Sequence, residues 1–153
     1  MPTFNRIMVP VDGSATSRTA LVTALQLARD TGATVRLVHC LDEMAFLSGY
    51  EYSGTYLAEG RREADRILTG ALDICRSAGV DADTQLVDRP GLRLGETVTE
   101  EAEKWHADLI VVGTHGRRGI GRALLGSGAE QIIRLSTVPV LTIRGRDKDG
   151  EDK

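Results

Sequence analysis

Apolar residues along this chain fall into two alternating kinds of run, short continuous ones and longer ones spaced by three or four. Residues 6–12, Arg-Ile-Met-Val-Pro-Val-Asp, form a short continuous run that breaks at Asp12, Gly13 and Ser14. Such a run predicts a strand buried on both faces. Pro10 stands near its end, where a missing N–H does least harm. Leu21, Ala24, Leu25 and Ala28 then repeat on one helical face, with Ser14 placed to cap the helix and Gly32 to end it. Residues 34–40 predict a second strand, and residues 41–57 hold no clear period. From Ala58 a second helix carries Ala64, Ile67, Leu68, Ala71, Leu72 and Cys75 on one face and closes at Gly79. Residues 83–88 predict a more polar strand suited to a sheet edge, followed by a turn at Arg89, Pro90 and Gly91. Leu94, Val98, Ala102 and Trp105 mark a third helix. Residues 107–113 are a continuous apolar strand cut off by glycine. A helix carrying Ala129, Ile132 and Ile133 comes next, and residues 138–143 form the last strand.

Strand and helix thus alternate, five strands to four helices. Parallel strands need crossover connections, and helical crossovers cover both faces of the sheet. The expectation is an α/β fold with a parallel sheet between two helical layers. The length, 153 residues, fits one domain that needs no disulfide or metal to hold its core. We expect that domain over residues 1–145, with 146–153 as a charged, disordered tail.

Charge sharpens this picture locally. The net charge is −3, which does not suit a general nucleic-acid binder. Yet residues 113–127 hold Arg117, Arg118 and Arg122, no acid, and a cluster of glycines. The two cysteines, Cys40 and Cys75, lie far apart with no metal-ligand spacing. The opening Met-Pro-Thr-Phe-Asn-Arg has no apolar core of a secretory signal, and no stretch has the length of a membrane span. A cytoplasmic protein is the expectation.

Ligands of open α/β sheets bind at the carboxyl ends of the strands, where strand order reverses. Two strands end in unusual loops here, the first at Asp12 and the fourth at Gly113, Thr114, His115 and Gly116. As neighbours they would open into one crevice. Asp12 can accept hydrogen bonds from a ribose or a base amino group. Glycines let backbone N–H groups approach phosphate oxygens, and Ser127 lies near a helix start that favours an anion. Blander roles stand beside each of these. Asp12 can simply close a turn, Ser14 and Ser127 can be caps, His115 a loop residue and His39 a strand-end residue. Gly121, Gly126 and Ser127 have the glycine spacing of a P-loop without its lysine, which argues against a fast NTPase. Gly119 and Gly121 lack the third glycine of a dinucleotide fingerprint, and no G-x-S-x-G elbow is present.

From about Asn5 to Arg144 the chain resembles the universal stress protein family, in its ATP-binding branch. The likeness rests on Val9-Pro10-Val11-Asp12-Gly13-Ser14, on residues 108–116, and on Val138 to Leu141. It rests above all on Gly113, Gly116, Gly126 and Ser127, which match a motif of glycine, two residues, glycine, nine residues, glycine and serine or threonine. The resemblance implies a Rossmann-like fold with strand order 3-2-1-4-5. It implies that Asp12 and the backbone of Pro10 and Val11 contact adenosine, with Ser14 nearby, and that the main chain at Cys40 contacts the base. It further implies that Gly113, Thr114, His115, Gly116, Arg117, Arg118 and Gly119 wrap the ribose and phosphates. Ser127, Gly128 and Ala129 would hold phosphate. Gly128 departs from the family, which often has a β-branched residue there, and glycine could loosen the helix start by up to about 1 kcal/mol.

The expected ligand is ATP, with ADP and AMP as alternatives. Mg2+ or Mn2+ would be held through the phosphates, since no protein ligand cluster is apparent. Phe46, Tyr50, Tyr52 and Tyr56 crowd the irregular stretch, which could fold over the adenine or pack on the protein's own surface. The last strand, Val138 to Ile143, is an apolar edge, and the resemblance implies a homodimer through it. The leading expectation is a dimeric, nucleotide-responsive stress protein. A slow ATPase using the same site is the alternative.

Overall fold

The computed structural model describes residues 4–41, 54–89, 92–114 and 125–145, with only the backbone of 54–57. Its elements are β1 (Arg6–Pro10), α1 (Ala15–Thr31), β2 (Thr34–Cys40), α2 (Gly54–Ser77), β3 (Ala82–Val87), α3 (Leu94–Trp105), β4 (Leu109–Gly113), α4 (Ser127–Leu135) and β5 (Val140–Ile143). All strands pair in parallel, in the order β3-β2-β1-β4-β5. This is the α/β sandwich that the alternation predicts.

Side chains of a strand alternate between faces, so a sheet covered on both sides needs apolar residues at every position. Ile7 and Val9 of β1, and Val11 just after it, enter a core with Leu21 and Leu25 of α1 and Leu68 and Cys75 of α2. Met8 enters the opposite core with Val98 of α3, Ile110 of β4 and Ile132 of α4. The continuous run in β4 divides in the same way.

Local chemistry sets the element ends. Ser14 caps α1, its Oγ accepting from the Ser17 N–H at 3.1 Å, and Gly32 closes it at φ +78°. The Asp108 carboxylate accepts from the N–H groups of Asn5 and Arg6 at 2.8 and 3.0 Å, tying the start of β1 to the approach to β4. Glu96 accepts from the Arg93 N–H at 2.9 Å at the head of α3.

Several boundaries and one helical face differ from the expectation. The second helix starts at Gly54 rather than Ala58, because residues 54–57 continue the backbone helix without an apolar stripe to reveal it. The fourth strand begins at Leu109 rather than Ala107, since Ala107 N–H still bonds back to Ala102 at the end of α3. The last strand begins at Val140 rather than Val138. There the Ser136 hydroxyl accepts from Val138 N–H and donates to its carbonyl, at 3.0 and 2.7 Å, and Pro139 has no N–H to give. On α4, Ile132 is fully buried but Ile133 is 45% exposed, so the core-facing stripe is narrower than predicted.

The two helices on the second face cross very closely. A Cβ built on Gly95 of α3 would stand 2.2 Å from Cβ of Gln131 on α4. The Gln131 Oε1 accepts from the Gly95 N–H at 3.0 Å, which fastens the crossing.

Candidate functional site

Parallel pairing brings the carboxyl ends of β1, β2 and β4 to one edge of the sheet, and α4 starts from that edge. Registered pairing between β1 and β4 covers only Ile7 with Leu109 and Met8 with Ile110, short of both strand ends. Pro10 supplies a reason. The Val11 N–H bonds to Val38 of β2, so the preceding residue's N–H would have pointed toward β4, and proline has none. The ladder stops where strand order reverses.

Asp12 follows β1 and is half-buried. Its Oδ1 accepts from the Ser14 N–H at 2.9 Å, so the carboxylate does close the strand-to-helix turn. Its own N–H donates to the Ser17 Oγ at 3.2 Å. Gly13 between them has φ +85°, a backbone conformation that side-chain-bearing residues rarely adopt, so the turn favours glycine. The Ser14 hydroxyl is engaged as the α1 cap. Gly113 ends β4 against the first turn of α1. A Cβ on it would lie 2.6 Å from Thr16 Cγ2 and 3.1 Å from the Thr16 carbonyl oxygen. Packing alone therefore accounts for glycine at that position.

Thr114 continues the strand direction, its N–H donating to the Ile143 carbonyl at 2.9 Å. Its carbonyl accepts from the Gly126 N–H at 2.6 Å, which draws together the two ends of the segment between them. The hydroxyl of Thr114 is buried, and among the described residues it is the one buried side-chain polar atom with no hydrogen-bond partner. The Gly126 that bonds the Thr114 carbonyl leads into α4 as its N-cap, with no side chain to satisfy the first-turn donors. Ser127 is the first helical residue and not the cap, which corrects the capping role considered for it. Gly128 does not leave a loose gap: Leu94 Cδ2 sits 2.5 Å from where its Cβ would be. A β-branched residue there would displace Leu94. Ala129 is buried in the core below.

Cys40 ends β2, paired with Val87 in the ladder and packed on the second core. Burial, with the Glu101 carboxylate nearby, pushes its thiol up from 9.0 to about 12. That leaves the thiol protonated near neutral pH and poorly nucleophilic. His115, Gly116, Arg117, Arg118 and Gly119 lie outside the described residues, as do Phe46, Tyr50, Tyr52 and the side chain of Tyr56. Among the described residues no group of His, Cys, Asp and Glu could hold a metal ion. No helix of theirs is long and apolar enough to cross a membrane.

Residues 3–144 match the Universal stress protein family. The chain belongs to that family. It is 33% identical to universal stress protein MJ0531 of Methanocaldococcus jannaschii over 151 residues, 95% of this chain and 85% of the relative. Two solved universal stress proteins are similar in fold and 26% identical. One, in complex with cAMP, superposes with TM-score 0.71 over 94% of this chain and 98% of its own. The other, from Archaeoglobus fulgidus in complex with dAMP, gives 0.69 over 94% and 99%.

One residue at this edge, Ser17, belongs to no motif in the sequence, and another, His39, reads there only as a strand-end residue. Ser17 is 94% buried, and its only written signal is the spacing of three from Ser14. His39 Nδ1 lies 2.8 Å from the Val11 carbonyl oxygen, a contact between strands that no local pattern announces.

Proposed function

We propose that this edge binds an adenine nucleotide, ATP in the first instance, and that the protein is a dimeric, nucleotide-responsive member of its family. One observation carries the reading. An uncapped helix start, the N-terminus of α4, is tied by a hydrogen bond from the Gly126 N–H to the backbone carbonyl of Thr114, a residue whose own buried hydroxyl lacks a partner. Open N–H groups and the positive end of a helix suit phosphate oxygens. An unsatisfied buried hydroxyl suits a ligand that supplies the missing bond. Asp12, at the end of the strand beside β4, offers a carboxylate to the sugar. The family relatives solved with cAMP and with dAMP support the adenine class, and both ligands join adenine to a phosphate. On this reading Pro10, Val11, Asp12 and the main chain at Cys40 face the adenosine, and Gly126 to Ala129 face phosphate. A divalent cation would be carried by the phosphates.

Calorimetry with ATP, ADP, AMP and cAMP on the purified protein tests the reading. Saturable binding of at least one is expected, weakened by Asp12→Ala. No detectable binding of any of the four overturns it. Turnover of ATP that disappears in the Asp12 or Ser127 variants would make the protein a slow ATPase instead.

A further inference from the structure

We propose that His39 and Ser17 are positioning residues that clamp the Val11–Asp12 peptide and so aim Asp12; this rests on the nucleotide reading above. The carbonyl of that peptide accepts from His39 Nδ1 at 2.8 Å, and its N–H donates to Ser17 Oγ at 3.2 Å. A carbonyl oxygen can only accept, so the chemistry assigns the ring proton to Nδ1. His39 reaches in from β2 and Ser17 from the first turn of α1, so two different elements grip one peptide plane. The Ser17 N–H is in turn held by Ser14 Oγ at 3.1 Å, and the Ser14 N–H holds Asp12 Oδ1 at 2.9 Å. The backbone and the carboxylate of Asp12 are thereby fixed together.

The clamp answers a defect in the sheet. Pairing between β1 and β4 stops at Met8, and Pro10 has no N–H, so the ladder does not hold the end of β1 on that side. A peptide left to rotate there would have to be ordered by the ligand, and ordering on binding lowers affinity. Side-chain bonds supply the order in advance.

Three variants test this: His39→Leu removes the donor, Ser17→Ala removes the acceptor, and His39→Asn keeps an N–H close to the Nδ1 position. ATP affinity should fall roughly 3- to 10-fold in His39→Leu and in Ser17→Ala, the worth of one hydrogen bond each. His39→Asn should recover most of it. Melting temperatures of the ligand-free variants, measured alongside, separate positioning from folding, and Ser17→Ala serves if His39→Leu fails to fold. Wild-type binding that is equally strong in His39→Leu and Ser17→Ala overturns the clamp. So does His39→Asn binding as weakly as His39→Leu, because ring packing would then be what matters. Nitrogen NMR of the ligand-free protein gives a check that needs no nucleotide: a neutral ring protonated on Nε2 overturns the assigned bond. Absence of any nucleotide binding by the wild type is a different result, and it overturns the proposed function itself.

Discussion

Thr114 shows how a single side chain can set stability against binding. A buried hydroxyl with no partner costs about 1–3 kcal/mol relative to a satisfied one. Valine has nearly the same shape and no polar atom. Thr114→Val is therefore expected to stabilise the ligand-free protein by about 1 kcal/mol, read as a higher urea midpoint at unchanged slope. If the hydroxyl serves the ligand, the same variant binds ATP more weakly. A lower urea midpoint would mean the hydroxyl has a partner after all. The thiols give a second prediction. Burial pushes Cys40 up to about 12 and Cys75 up to about 11, from 9.0. Folding thus holds both protons. The stabilisation this confers is complete below pH 9 and is lost as pH rises through 9 toward 11 and 12, where the unfolded chain ionises first. Near pH 8 both thiols should react with iodoacetamide at least tenfold more slowly in the folded protein than in urea. Equal rates would contradict the burial.

Among the elements, the crossing of α3 and α4 at Gly95 leaves no room for a side chain. A methyl group there meets the backbone and Cβ of Gln131, which cannot swing aside. Gly95→Ala should destabilise the protein by about 1–3 kcal/mol through overpacking, although alanine is the better helix former. Thermal unfolding followed by circular dichroism measures it, and an unchanged or raised midpoint would refute the crossing. Because α4 begins at the candidate site, the same variant should also disturb nucleotide affinity. At the amino ends of the strands, the guanidinium groups of Arg6 and Arg36 each lie over the ring of Trp105 in α3, at 5.0 and 4.9 Å from its centre. Arg36 in turn grips Asp83 with two bonds of 2.9 and 2.8 Å. These contacts join α3 to β1, β2 and β3, far along the strands from the candidate site. The sequence displayed neither contact. Gly95 carried no signal of its own, and Trp105 read as one more residue of an apolar stripe, since neither partner is near in the chain.

For the molecule as a whole, β5 is the feature that bears on assembly. It is an edge strand, and Val140, Leu141, Thr142 and Ile143 are all half-buried. Ile133 and Leu135 of α4 are 45% and 42% exposed. Apolar edges invite pairing, and the proposed homodimer would use this one through a two-fold axis. Light scattering should give the wild type twice the mass of the 16.5 kDa chain, and Leu141→Asp the mass of one chain. A variant that stays dimeric would count against edge pairing.

Periodicity alone determined the element order and the α/β class, because burial of a sheet on two faces and of a helix on one leaves different spacings in the chain. Local chemistry also made the Ser14 cap and the Gly32 terminus legible, since their partners lie within four residues. The strand order and the pairing of β1 with β4 came from likeness to a family, because no spacing states which strands are neighbours. Tertiary structure decided the rest. Only there does Gly113 become a seat for Thr16, Gly128 a seat for Leu94, and His39 a hydrogen-bond partner of Val11. Those contacts join residues distant in the chain, and their energies depend on separations that one-dimensional spacing does not encode.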